Sequence, residues 1–167
     1  MRDKVTILEA NSQQDFVNMA MMAKTIWEEH YSPLIGIDQT AYMIEKYQTP
    51  SAIRDQVENQ GYLYYYIKLN DNEVGYIAIQ PQENSLFLSK YYIQKESRNR
   101  GLGRVAFDFC VDYARRHDKV KVWLTVNRKN GDAIEKYLHM GFQIVKEQDT
   151  KIGSGYEMND YVLEKNV

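Results

Sequence analysis

The chain has 167 residues, of which 44% are hydrophobic and 26% charged, with a formal net charge of −2. This composition predicts one soluble globular domain over residues 1–167 and excludes a disordered chain. The charge balance does not favour a polyanionic partner such as nucleic acid, which would need a basic face. The sequence holds a single cysteine, Cys110, so an intramolecular disulfide is excluded.

Targeting and metal signals are also missing from the sequence. The N-terminus has no apolar stretch of the signal-peptide type, and no run approaches the roughly 20 apolar residues of a membrane span. We therefore expect a cytoplasmic protein without a membrane partner. The histidines, His30, His117 and His139, lack the spacing of a metal site, so no metal is expected.

The N-terminal part of the chain is predicted to be mainly helical. Ser12, with Asp15 three residues later, has the pattern of a helix-capping box. Apolar residues then recur with helical spacing as far as Trp27. The elements predicted here are a strand at Val5–Glu9, a helix through Phe16–Trp27, a break at Tyr31–Asp38, a helix at Gln39–Tyr47 and a short helical stretch from Thr49-Pro50-Ser51 to Gly61.

The rest of the chain alternates between strands and helices. The predicted strands are Tyr62–Lys68, Glu73–Gln80, Ser85–Ile93, Lys121–Val126, Phe142–Asp149 and Tyr156–Leu163, the last two around the turn Gly153-Ser154-Gly155. The predicted helices run from Gly103 to about His117 and from Asp132 to Met140. The order β-α-α-β-β-β-α-β-α-β-β predicts an α/β fold of the mixed α+β type. A central, mixed, mostly antiparallel sheet of about seven strands would be flanked by helices.

A glycine-containing loop, Arg98-Asn99-Arg100-Gly101-Leu102-Gly103, joins a predicted strand to a predicted helix. The start of a helix offers free backbone N–H groups and the positive end of the helix dipole. Gly101 and Gly103 remove side chains, so a phosphate can approach those groups closely. Fixed positive charge comes from Arg98, Arg100 and Arg104. The loop therefore predicts a pyrophosphate site.

Two well-known phosphate loops fit this segment poorly. The P-loop pattern GxxxxGK followed by serine or threonine is absent. Gly101–Ala106 matches the dinucleotide fingerprint GxGxxA literally. However, no acidic residue ends the next strand, Lys121–Val126, to hold a ribose. The chain after Gly103 is also too short for a second mononucleotide-binding half. A dinucleotide site is thus the weaker reading of the loop.

The loop and a second segment together resemble the GNAT superfamily of N-acetyltransferases. Arg98 to Gly103 matches the superfamily motif R/Q-x-x-G-x-G/A. The segment from Asn130 to Phe142 matches N-x-x-A-x-x-x-Y-x-x-x-G-F, with Asn130, Ala133, Tyr137 and Gly141-Phe142 at the named positions. The resemblance covers roughly Leu63 to the C-terminus and implies acetyl-CoA as cosubstrate.

The resemblance also implies which residues bind coenzyme A. In the GNAT fold the strand ending at Ile93 splays away from Lys121–Val126, and the pantetheine arm pairs with the exposed edge. The amide of Ile93 would then face the thioester oxygen. The cofactor-binding residues implied in this way are Tyr91, Tyr92, Ile93, Arg98, Asn99, Arg100, Gly101, Leu102, Gly103, Arg104 and Asn130.

Tyr137 and Asn130 each allow a structural reading beside the functional one. Tyr137 matches the family's general acid, because a phenol with a pKa of about 10 can donate a proton to a departing thiolate. Its alternative is core packing beside Ile134 and Leu138. Asn130 is either a cofactor contact or the N-cap of the following helix, and both roles are compatible.

The general base is the position at which this sequence departs from many relatives. Alternation along the strand predicts Phe87, Ser89 and Tyr91 on one face and Leu88, Lys90 and Tyr92 on the other. Neither face carries the glutamate or histidine that many family members have there. The base must come from elsewhere, from a water chain or from solvent. The candidate substrate residues are Glu28, Glu29 and Tyr31, although the two glutamates are also typical of solvated helix charges.

Within the superfamily, the chain most resembles small bacterial enzymes of the spermidine/spermine-acetyltransferase kind. The support is Ile26–Tyr31 early in the chain and Gly153–Tyr161 late. The leading hypothesis is acetyl transfer to a small primary amine, such as a polyamine, within a ternary complex. Acetylation of a protein N-terminus or lysine, and a non-catalytic acyl-CoA-binding module, are the alternatives. A homodimer through the last strands is compatible with the sequence, but no pattern requires it.

Overall fold

Within residues 3–167, which the computed structural model describes, seven strands form one sheet. The strands are β1 (Val5–Ala10), β2 (Leu63–Leu69), β3 (Asn72–Pro81), β4 (Ser85–Ile93), β5 (Lys121–Asn127), β6 (Gln143–Gly153) and β7 (Tyr156–Asn166). Their order across the sheet is β1-β2-β3-β4-β5-β7-β6. Helices flank this mixed sheet, which confirms the predicted fold class.

The same described range contains five α-helices and a short 3₁₀ turn at Lys95–Ser97. The helices are α1 (Gln13–Ile35), α2 (Ile37–Tyr47), α3 (Pro50–Asn59), α4 (Leu102–Arg116) and α5 (Gly131–His139). Three helices precede β2, although the predicted order counted two. The short stretch after Thr49 is a complete helix, because Thr49 Oγ1 caps it by accepting a hydrogen bond from the Ala52 amide at 3.1 Å. No helix between residues 3 and 167 is long and apolar enough to span a bilayer.

Helix α1 begins as predicted but ends later. Ser12 and Asp15 form the expected capping box. The predicted break at Tyr31–Asp38 is wrong, because the helix continues through Pro33 to Ile35 and only Gly36, with a φ of 89°, separates it from α2. A proline so near the end of a helix removes only one hydrogen bond of the ladder. The Tyr31 ring packs on Trp27 at a centroid distance of 5.2 Å, which holds this last part of the helix on the protein body.

The sheet opens between β4 and β5. All other neighbouring strands are antiparallel, whereas these two are parallel and pair from Ser85 to Phe87 on β4 with Lys121 to Trp123 on β5. Beyond Phe87, no further pairing joins them anywhere in the described chain. The backbone of β4 from Leu88 onward therefore faces a gap, as the resemblance implied.

A β-bulge interrupts β4 just where it leaves β5. Ala78 pairs with Lys90, but the next residue of β3, Ile79, pairs with Leu88, so Ser89 is the extra residue of the bulge. A bulge reverses the alternation beyond it. The prediction that Leu88, Lys90 and Tyr92 share a face is therefore wrong. Leu88 belongs to the core on the side of Tyr91, and Tyr92 packs on the opposite side.

Each face of the sheet carries a hydrophobic core. On one face, α4 buries Phe107 and Cys110 against β4 and β5. On the other face, α1 buries Trp27 against Tyr64 and Tyr76 of β2 and β3. Because the gap between β4 and β5 passes from one face to the other, it connects the surroundings of α4 with those of α1–α3.

Candidate active site

A cavity of about 550 Å³ fills the gap on the α4 side. Its walls come from the end of β4, the glycine loop, the start of α4, the end of β5 and α5. Most of the residues predicted to bind the cofactor line it together, namely Tyr91, Tyr92, Ile93, Arg98, Asn99, Gly101, Leu102, Gly103, Arg104 and Asn130. Tyr137 lines the same cavity. Residues that are separated along the chain are thus brought to one site, which we call the cofactor cavity.

The glycine loop presents backbone rather than side chains to this cavity. Gly101 is the N-cap of α4 with a φ of 76°, and a Cβ built at this position meets no atom within 4 Å. The first N–H groups of α4 have no side-chain cap. Arg98 is held beside them, because its Nε donates to the Ile93 carbonyl at 3.2 Å. This open, positive helix start fits the pyrophosphate of coenzyme A.

Arg100 behaves differently from its neighbours in the loop. Its side chain does not line the cofactor cavity, and its Nη1 lies 3.9 Å from the Asp3 carboxylate. Both side chains are about half exposed, so this pair contributes little stability. The structure therefore does not bring Arg100 to the site in the way that it brings Arg98.

We expect Gly101→Val to weaken acetyl-CoA binding by about 10- to 100-fold. A β-branched residue is strained at a positive φ, and it would add a side chain to the wall of the cofactor cavity next to the start of α4. Calorimetric titration with acetyl-CoA measures the effect. Gly61→Val is the matched control, since Gly61 also has a positive φ and open space beside it but does not line the cofactor cavity. Equal affinities for the two variants would contradict the placement of the pyrophosphate.

The end of β4 sends its tyrosines to opposite sides of the sheet. Tyr91 packs edge-on against Phe107 of α4 at a centroid distance of 5.2 Å. Its hydroxyl lies 2.8 Å from the position of a Cβ at residue 103, so Gly103 permits the close approach of strand and helix. Tyr92 points toward α1, where its hydroxyl lies 2.5 Å from that of Tyr31. Tyr31 consequently lines the gap and links α1 to β4.

Asn130 fulfils its capping role and also lies in the cofactor cavity. Its Oδ1 accepts from the Ala133 amide at 3.2 Å, and its Nδ2 lies 3.4 Å from His30 Nε2. His30, to which the sequence assigned no role, thereby reaches the cavity from α1. Burial, with a further contribution from Arg98, lowers the pKa of His30 to about 4, so the ring is neutral at physiological pH.

Tyr137 of α5 lines the cofactor cavity. Its ring packs edge-on against Phe107 and Phe142, at centroid distances of 5.5 and 5.8 Å. Burial raises the pKa of the Tyr137 phenol above its ordinary value, and nearby Tyr91 adds to the effect. The phenol is therefore protonated at neutral pH and able to donate. The packing and the proton-donor readings of this residue are compatible with one another.

A second cavity, of about 640 Å³, lies on the α1–α3 side of the gap. We call it the acceptor cavity. It shares a wall with the cofactor cavity at Tyr31, Ser89, Tyr92, Thr125 and Asn127. Many of its other lining side chains are aromatic, including Trp27, Tyr47, Tyr62, Phe87 and Trp123. A molecule in the acceptor cavity can therefore meet the reactive end of one in the cofactor cavity.

The acceptor cavity contains charged side chains that the sequence analysis did not assign to the site. Asp160 of β7 is 5% exposed, and burial raises the pKa of its carboxyl to about 6. Lys90 of β4 is 9% exposed and lines the same cavity. The predicted substrate residues Glu28 and Glu29 are exposed on α1 and line neither cavity. Trp27 and Tyr31 of the same helix line the acceptor cavity instead.

The acceptor cavity is roofed by contacts between α2 and the β6–β7 hairpin. The Tyr42 hydroxyl donates to the Ile152 carbonyl at 2.6 Å, and Lys46 Nζ donates to the same oxygen at 2.5 Å. Gln39 Nε2 donates to the Glu157 carbonyl at 2.8 Å. These hydrogen bonds join the hairpin to α2. The acceptor cavity is therefore covered on this side and does not form a long open groove.

Comparison with known proteins identifies the family of this chain. The sequence matches the acetyltransferase (GNAT) family over residues 21–142. It is 21% identical over 162 residues to an uncharacterised N-acetyltransferase encoded in the pepI 3′ region of Lactobacillus delbrueckii subsp. lactis, covering 92% of this chain and 93% of that protein.

Solved structures share the whole fold. The PaiA N-acetyltransferase of Thermoplasma acidophilum, solved in complex with coenzyme A, has a TM-score of 0.78 at 18% identity, with 100% of both chains covered. A GCN5-related N-acetyltransferase of Rhodopseudomonas palustris has a TM-score of 0.81 at 12% identity, with 100% and 99% covered. Since the family match spans most of the sequence, the chain belongs to the GNAT family and is an acetyl-CoA-dependent N-acetyltransferase.

Proposed function

We propose that this enzyme acetylates a primary amine on a small molecule, with polyamines as the leading class, by direct attack within a ternary complex. The observation that carries the proposal is the roofed, aromatic acceptor cavity that meets the cofactor cavity at Ser89 and Tyr92. The resemblance to spermidine/spermine-type enzymes supports the same substrate class.

On the cofactor side of the site, different residues bind acetyl-CoA and take part in the reaction. The α4 amides and Arg98 would hold the pyrophosphate, and the unpaired β4 edge at Tyr91 to Ile93 would hold the pantetheine arm. Acetyl-CoA supplies the activated thioester. As the C–S bond breaks, the Tyr137 hydroxyl donates its proton to the departing sulfur.

The acceptor side suits a small cation. Above pH 6 the Asp160 carboxyl is ionised, so it attracts an ammonium group into the cavity. Aromatic faces favour cations as well. The bonds from Tyr42 and Lys46 to Ile152 block the open groove that a protein substrate would need, which favours a small amine over a protein N-terminus or lysine.

An acceptor panel tests the substrate class. We expect kcat/KM with spermidine or a simple diamine to exceed that with a short lysine-containing peptide by about 100-fold or more, measured as free thiol release. Asp160→Asn should raise the KM for the diamine by about 10-fold, because a buried charge-assisted contact is lost. Asp112→Asn, an exposed α4 variant that lines neither cavity, is the control. A peptide preferred over every small amine would refute the proposed substrate class.

A further inference from the structure

Lys90 is the most unusual charged residue of the site. It extends from β4 into the acceptor cavity yet is 9% exposed, and none of the salt bridges found within residues 3–167 involves it. Its Nζ lies over the rings of Tyr62 and Tyr64, at 5.2 and 5.8 Å from their centroids. A buried lysine without a carboxylate partner costs stability, so its presence calls for a functional explanation.

Ser89 connects this lysine to the reaction site. Lys90 Nζ donates to Ser89 Oγ at 2.9 Å, and a neutral amine can accept from the hydroxyl at the same distance. Ser89 is the extra residue of the β-bulge, and it lines both cavities at the point where they meet. The bulge thus places a hydroxyl between the acceptor and a buried amine.

We propose that Lys90 is the general base of this acetyl transfer and that Ser89 relays the proton of the acceptor amine to it. The inference rests on the proposed function, because it needs an amine in the acceptor cavity. It also fills the position left open by the sequence, since β4 carries no glutamate or histidine.

Residues of the site donate and accept every proton that the reaction moves. The acceptor nitrogen reacts as the neutral amine, and its lone pair forms the bond to the acetyl carbon as the C–S bond breaks. The electron pair of the C–S bond goes to sulfur, which takes the Tyr137 proton. The acceptor nitrogen gives a proton to Ser89 Oγ while the Ser89 hydroxyl proton passes to Lys90 Nζ. The resulting Lys90 ammonium is stabilised by the two tyrosine rings. Lys90 and Tyr137 then exchange protons with water through the cavities.

The protonation state of Lys90 is compatible with this role. Burial lowers the pKa of Lys90 to about 7, so the amine is neutral in part of the molecules at physiological pH. A base acts best when its pKa is near the working pH. The other titratable groups around the cavity are Tyr31 of α1, Lys46 and Tyr47 of α2, Asp55 of α3, Tyr62 and Tyr64 at β2, Tyr92 of β4 and Asp160 of β7.

The decisive experiment combines a pH profile with a titration of the free protein. With acetyl-CoA and spermidine, wild-type kcat/KM should rise with pH through a limb near pH 7. Lys90→Met should lower kcat/KM by about 100- to 10,000-fold at pH 7.5, abolish the limb and leave acetyl-CoA affinity unchanged. Lys90→Arg should be equally impaired, because it keeps a cation but accepts no proton. Lys24→Met, an exposed α1 variant, should retain the wild-type profile.

NMR of lysine-labelled protein without substrates gives the second readout. One lysine should titrate near pH 7, disappear in Lys90→Met and persist in Ser89→Ala, which should nevertheless lose activity. The inference is overturned if Lys90→Met keeps the wild-type rate and limb, if the limb follows Asp160→Asn instead, or if no lysine titrates near pH 7. A wild-type enzyme that is inactive with every amine would overturn the proposed function as well. An active enzyme that does not depend on Lys90 would overturn only the role of Lys90, so the two failures can be distinguished.

Discussion

Tyr137→Phe is expected to lower kcat by about 100- to 1,000-fold while leaving acetyl-CoA affinity unchanged. The substitution removes one hydroxyl and keeps the ring that packs against Phe107 and Phe142. A departing thiolate without a proton donor is a poorer leaving group, and general acid catalysis contributes on this scale. Steady-state thiol release gives kcat, and calorimetry gives the affinity.

The matched control for this prediction is Tyr113→Phe. Tyr113 lies on α4, stacks on His117 and lines neither cavity, so its variant should retain wild-type kinetics. If Tyr137→Phe also kept the wild-type kcat with every active amine, the proton-donor role would be wrong and Tyr137 would be a packing residue.

Lys90→Met is expected to be more stable than the wild type at pH 7, with an advantage that shrinks as the pH rises. The folded protein lowers the pKa of Lys90 to about 7, whereas the unfolded chain has the ordinary value near 10.5. Between these values the unfolded state binds the extra proton, so raising the pH favours the folded wild type by about 1 kcal/mol per pH unit. Methionine has no proton to lose and fills a similar space.

Urea unfolding of both proteins at several pH values between 6 and 9 measures this difference. The gap in unfolding free energy should narrow by about 2 kcal/mol from pH 7 to pH 9. Comparing the two proteins cancels the titration of the many buried tyrosines, which affects both alike. The unfolding free energy of Lys24→Met should change with pH in parallel with that of the wild type. Parallel curves for Lys90→Met and wild type would show that Lys90 is charged and solvated in the folded protein.

The residues that line the cofactor cavity were largely predictable, because they belong to two short sequence motifs. The glycine loop and the segment from Asn130 to Tyr137 are both short. Their residue types are the ones that the backbone needs at the end of a strand and at the starts of two helices. Gly101 was expected to leave room beside the start of α4, and the space beside it is open. The placement of Arg100 could not be predicted in this way, because the sequence of the loop does not reveal that its side chain turns to Asp3.

The acceptor half was not predictable, since it depends on tertiary structure. The bulge at Ser89 reversed the alternation on which the assignment of faces rested. Tyr31 was named as a candidate substrate residue and lines both cavities, but it was placed in a break, whereas it lies in α1 and packs on Trp27. Asp160 comes from a strand added late in the chain, and no local pattern indicates that β7 carries it into the cavity.

A two-substrate initial-velocity measurement tests the central claim most directly. Acetyl-CoA and spermidine are varied together while free thiol and acetylated amine are quantified, the latter by mass spectrometry. We expect intersecting velocity patterns, typical of a ternary complex, and one acetylated amine for each thiol released. Tight binding of acetyl-CoA with no thiol release on any amine would contradict it.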